Sequence, residues 1–150
     1  MESRVGSDAG TVRTMDRAFS FGVQTGPFDD REALAAHART VEDLGYAELF
    51  SYDHIGAVDP FLPLMVAAEA TTRLRFGPLV INNEFHNPVV LARAAATFDA
   101  LSGGRLTLGM GTGYMQSEHD ASGIPLRPPG PRVTRFGESL RALRGLLDDG

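Results

Sequence analysis

The chain of 150 residues contains no cysteine. Disulfides and thiolate metal sites are therefore excluded, and the composition fits a reducing compartment. Positive charge is scarce as well. Fourteen Lys and Arg against 19 Asp and Glu leave a net charge of −5, so the chain has no basic footprint for nucleic acid. No apolar run approaches the roughly 20 residues that a bilayer-spanning helix needs. Residues 1–18 mix polar, charged and glycine residues and lack the apolar stretch of a secretory signal. They are expected to form a disordered leader, unless the start codon has been assigned too early. These absences leave a soluble protein, expected in the cytoplasm, with neither nucleic acid nor membrane as a partner.

What is present has a globular balance, with 43% hydrophobic and 22% charged residues, and the length is enough for one ordinary core. From Phe19 onward short apolar runs alternate with helical patterns. Phe19–Gln24 alternates with period two and predicts a first strand. Asp29 or Asp30 caps a helix with Leu34, Ala38, Val41 and Leu44 as its apolar stripe, and Gly45 stops it. Tyr46–Ser51 predicts a second strand that delivers Tyr52, Asp53 and His54 into a loop. A second helix starts at Asp59-Pro60 and runs to about Thr71. Leu74–Ile81 predicts a third strand ending in Asn82 and Asn83, and Asn87-Pro88 opens a third helix through Leu101. Arg105–Met110 predicts a fourth strand, and Val133, Phe136, Leu140, Leu143 and Leu147 mark a last helix.

Four βα units in succession imply a parallel sheet. The 132 residues from Phe19 to Gly150 give about 33 per unit, close to the roughly 31 per unit of a (β/α)8 barrel. The fold class expected is thus α/β of TIM-barrel type, with only the first four units present: a half-barrel at 19–150. An open doubly wound sheet is the alternative that periodicity leaves standing.

After the fourth predicted strand, Gly109, Gly111 and Gly113 remove every second side chain. Either a ligand or another stretch of backbone approaches closely there. Asp53-His54 follows the second predicted strand. A neutral imidazole can take a proton from a substrate hydroxyl, and a neighbouring carboxylate can orient it. The same two residues could equally cap a turn and sit in an ordinary loop. His37, His86 and His119 read as plain helix or loop histidines. Glu118-His119-Asp120 lies in a polar loop where adjacent residues do not make a closed metal site, so no metal is expected.

Several short pieces together resemble the N-terminal half of the bacterial luciferase-like monooxygenases, the family that includes flavin- and coenzyme F420-dependent oxidoreductases. They are Leu44-Gly45-Tyr46, Asp53-His54, Thr72–Gly77, Asn87-Pro88 with Leu91-Ala92-Arg93, Leu101–Arg105 and Gly109–Tyr114, in family order and spacing. Asp53-His54 and Gly111-Thr112-Gly113 look most like the F420-dependent branch. The resemblance implies a barrel with a flavin-type ring at the C-terminal ends of its strands. It implies His54 as the acid/base oriented by Asp53, and a bulge with a non-prolyl cis peptide around Leu79–Val80 passing under the ring. Asn82, Asn83, Gly111, Thr112, Gly113 and Tyr114 are the further cofactor contacts implied, with Gln24 reaching toward substrate. Tyr114 stands where some deazaflavin enzymes of the family carry an acidic residue. The aromatic lid of those enzymes has no counterpart, because the chain has no tryptophan.

The function expected is hydride transfer between F420 and an organic substrate, by a truncated form of such an enzyme. The alternatives are an FMN-dependent monooxygenase and a non-catalytic half-barrel fragment. The partners expected are a small-molecule substrate and a second copy of the chain, as a homodimer. The substrate itself cannot be read from these residues.

Overall fold

A computed structural model describes residues 19–148, so the leader expected at 1–18 lies outside the described residues. Parallel strands alternate with helices, as the periodicity requires. Strand β1 (Gly22–Gln24) leads to helix α1 (Arg31–Asp43), whose N-cap Asp30 accepts a hydrogen bond from the Ala33 N–H at 2.8 Å. Strand β2 (Glu48–Ser51) leads to helix α2 (Leu62–Glu69). There Asp59 accepts from the N–H groups of Phe61 and Leu62, both at 2.8 Å. Strand β3 (Arg75–Pro78) and strand β4 (Ile81–Asn82) precede a 3-10 turn at Asn83–Phe85 and helix α3 (Pro88–Ser102). Strand β5 (Met110–Gly111), helix α4 (Gln116–Ser122) and helix α5 (Pro129–Asp148) complete the order. No helix among the described residues is long and apolar enough to cross a membrane.

β1, β2 and β3 form one parallel sheet, and β4 pairs in parallel with β5. The third expected strand is therefore split, and Pro78 explains where. A regular parallel ladder would have residue 78 donate to the Thr107 carbonyl, but proline has no N–H. The backbone bonds on either side continue. Phe76 N–H donates to Arg105 O at 2.8 Å and Thr107 N–H to Phe76 O at 2.7 Å. Beyond Pro78, Gly109 N–H donates to Pro78 O at 3.1 Å and Ile81 N–H to Gly109 O at 2.9 Å. Ile81 stands where Val80 would donate in a regular ladder, so one extra residue has been taken up as a bulge. The Leu79–Val80 peptide within it is cis. Residues 105–111 thus run beside 75–82 as the fourth expected strand, although only Met110–Gly111 and a bridge at Leu106 are regular.

The register decides which face is buried. Val23, Leu49 and Phe76 lie in register, with Leu106 bridged to Phe76, and all point toward the helices. There they pack with Ala38 and Val41 of α1, Leu64, Ala67 and Ala68 of α2, and Phe98 of α3. Each fully buried Leu or Phe in this layer stabilises the fold by about 1.5–3 kcal/mol. The opposite face carries Gln24, Glu48, Arg75 and Thr107. Thr107 Oγ1 donates to Glu48 at 2.9 Å and Arg75 Nε donates to Thr107 Oγ1 at 3.1 Å.

Arg105, just past the Gly103-Gly104 turn, locks the helix layer. It donates to the carbonyls of Ala68 at 2.8 Å and Ser102 at 2.6 Å, and its guanidinium lies 5.3 Å from the Phe76 ring centre. One cation thereby satisfies the C-terminal carbonyls of two helices.

Candidate functional site

The loops after β2, β3 and β5 converge at the C-terminal end of the sheet. They enclose a cavity of about 310 Å3 lined by Asp53, His54, Leu79, Val80, Asn82, Gly111, Thr112, Gly113, Tyr114 and Glu118. Nine of these ten are candidate residues from the sequence, and only Glu118 is new. Two candidates stay outside. Gln24 lies exposed on β1, and Asn83 is almost fully buried in the 3-10 turn with its Nδ2 unpartnered.

The pairing of the carboxylates differs from expectation. Asp53 does not orient His54. Its Oδ2 accepts from the Asn82 N–H at 2.9 Å and lies 2.8 Å from His86 Nε2. His54 instead places Nδ1 at 2.7 Å from Glu118 Oε1. Consecutive residues leaving a strand project to opposite sides, so Asp53 turns toward β4 and His54 toward α4. The polar loop expected around Glu118-His119-Asp120 is helix α4, and both Glu118 and His119 are buried. Residues one apart on a helix point about 100° apart. Glu118 therefore faces the cavity, while His119 packs against Phe85 (ring centres 4.9 Å) and pairs Nδ1 with Ile124 O at 2.9 Å.

The glycine run has a steric reason. A Cβ on Gly109 would lie 2.6 Å from Pro78 O, and one on Gly111 would lie 2.7 Å from Val80 Cγ2. At Gly113 it would meet Asn82 Oδ1 at 2.3 Å, and φ there is +72°. What approaches the glycines is the neighbouring bulge, so the second of the two options left open by the sequence holds. Behind the loop, the wholly buried Glu84 carboxylate pairs with Arg127 and with Arg135 Nε at 3.2 Å, and Arg132 donates to Gly113 O. Sequence reading passed over these residues, as it did Glu118 and His86. Their partners lie 19 to 64 positions away in the chain, beyond any local pattern.

The cavity suits a planar heteroaromatic group. Leu79 and Val80, 50% and 38% exposed, offer an apolar floor, and the rim is polar on every other side. Its size falls in the range of about 300–1,000 Å3 typical of small-molecule sites.

The model of the luciferase-like monooxygenase family matches residues 11–150. The chain belongs to that family. A luciferase-like relative from Methanolobus tindarius, a 5,10-methylenetetrahydromethanopterin reductase, is 32% identical over 128 residues, which is 85% of this chain and 38% of that protein. The structure of the coenzyme F420-dependent tetrahydromethanopterin reductase from Methanopyrus kandleri superposes with a TM-score of 0.65 at 32% identity, covering 71% of this chain and 30% of that one. The FMN complex of the oxygenating constituent of 3,6-diketocamphane monooxygenase from Pseudomonas putida gives a TM-score of 0.70 at 19% identity, over 85% and 39%. That last likeness concerns the fold alone. The chain spans about a third of the length of these relatives. Luciferase-like proteins with F420 and with FMN thus both stand near it.

Proposed function

We propose that this chain contributes the first four βα units of a luciferase-like barrel and one wall of a deazaflavin site for hydride transfer to or from an organic substrate. The observation that carries this is the single cavity joining His54 to the Leu79–Val80 floor and the Gly111–Gly113 loop. When bound, a deazaflavin or flavin ring supplies the acceptor or donor of a hydride. Leu79 and Val80 would support its apolar face. The loop backbone at Gly111–Gly113 and the Thr112 hydroxyl would hold its polar tail, and Asn82 its ring edge. His54 would move the proton of the substrate hydroxyl. Asp53 serves this site indirectly, by tying the Asn82 backbone to His86.

Coenzyme F420 is preferred to FMN because the reductase relatives share 32% identity with the chain whereas the FMN-bound neighbour shares 19%. The second reading, an FMN monooxygenase, draws on the fold likeness to that complex. Titrating the protein with each cofactor while following ring fluorescence separates the two. Binding of F420 with weak or no binding of FMN is expected. Tight FMN binding with indifference to F420 would reverse the assignment, and no binding of either would favour a non-catalytic fragment.

A further inference from the structure

Glu118 is the one cavity-lining residue that the sequence did not single out as a candidate, and its surroundings give it a defined task. Its side chain is only 8% exposed, and among the described residues the group within ion-pair distance of it is His54. Helix α4 holds it firmly. The N–H groups of Glu118 and His119 both turn back to Met115 O, and the buried His119 anchors the helix against Phe85 and Ile124 O. His54, by contrast, is 39% exposed. It borders the cavity, and Nδ1 is the ring nitrogen that carries its side-chain hydrogen bond.

An ionised carboxylate only accepts hydrogen bonds, and a neutral imidazole carries its proton on one nitrogen. The bond at one nitrogen therefore decides the state of the other. We propose that Glu118 is the positioning residue of the site: it keeps the proton of neutral His54 on Nδ1 and leaves Nε2 bare as the atom that meets a substrate proton. When that proton is taken, the substrate O–H bond breaks and an N–H bond forms on Nε2. The accompanying hydride goes to the oxidised deazaflavin or flavin ring, and the imidazolium charge faces the Glu118 carboxylate. Asp53, adjacent in sequence, cannot perform this task because its own carboxylate is committed to Asn82 and His86.

The inference rests on His54 being the proton carrier, but it is read without any cofactor. Nitrogen-15 NMR of the full chain in alkaline buffer, with the His54 signals assigned through a His54→Gln variant, reports which nitrogen bears the proton. The wild type is expected in the Nδ1–H form. Glu118→Ala should shift His54 toward the Nε2–H form, and Glu118→Gln, whose amide oxygen also accepts, should restore the Nδ1–H form. Wild-type His54 found as the Nε2–H form or as a persistent imidazolium overturns the proposal without recourse to a variant. An unchanged tautomer in a folded Glu118→Ala protein overturns it too. Where hydride transfer can be followed, Glu118→Gln should lower kcat by about 10²-fold while KM stays within about twofold. Failure of the cofactor titration would refute the proposed function and leave the tautomer result intact.

Discussion

At the scale of single residues, the site is shaped by what glycine permits and what neighbouring carboxylates choose. Gly113 combines a left-handed φ of +72° with a would-be Cβ 2.3 Å from the Asn82 amide, whereas Gly123 has φ +71° and open space around it. Gly123→Ala should therefore cost the left-handed strain alone, about 1–2 kcal/mol. Gly113→Ala should cost more, because Asn82 must also move and its Oδ1 caps the Glu84 N–H at 3.0 Å. Urea denaturation of the two variants tests this; equal losses would mean that the amide swings aside freely. Asp53 and His54 teach a related lesson. Adjacency in sequence suggested one dyad, yet the chain builds two, Asp53 with His86 and Glu118 with His54.

At the scale of elements, the helix layer is tied to the sheet by side chains that cap backbone groups. Glu42 at the end of α1 accepts from the N–H groups of Thr72, Arg73 and Leu74, the last two at 2.7 and 2.9 Å. Burial pushes its carboxyl pKa up, but the backbone donors at Arg73, Leu74 and Thr72, helped by the Arg73 charge, outweigh that and hold it below the ordinary 4.5. The sign follows from linkage. A carboxylate with a depressed folded pKa stabilises the fold above its unfolded pKa, and that stability is lost as pH falls through the folded value. Glu42→Gln should thus be less stable than wild type at neutral pH. The gap should close as the solution is acidified from about pH 4.5 downward. Thermal melts of both proteins across that window check it, and a gap independent of pH would contradict it. Pro78 acts at the same scale, because its missing N–H is what divides the third strand and admits the bulge.

For the whole molecule, the sheet has one face under α1–α3 and the other bearing Gln24, Glu48, Arg75 and Thr107. The outer edges of β1 and of residues 105–111 have no strand beside them among the described residues. Phe19 and Phe21, 90% and 67% exposed, stand next to the β1 edge. Unpaired edges flanked by apolar side chains recruit further strands. The proposed barrel therefore predicts self-association of the chain when it is studied alone. Sedimentation velocity should give a mass above 16.1 kDa that rises with concentration. A monomer at every concentration would remove the proposed homodimer.

The sequence by itself determined the alternation of strands and helices, the buried stripe of α1, the caps at Asp30 and Asn87, and nine of the ten residues around the cavity. Local periodicity and capping chemistry are properties of neighbours in the chain, and the family pieces preserve their order along it. Only the tertiary structure decided how the carboxylates pair, that Glu118 and His119 lie on a helix, and that Glu84 gathers arginines behind the glycine loop. Helix α4 has seven residues and no apolar stripe long enough to register as a period. The His54–Glu118 bond joins residues 64 positions apart, and such a contact exists only once β2 and α4 have been brought to the same end of the sheet.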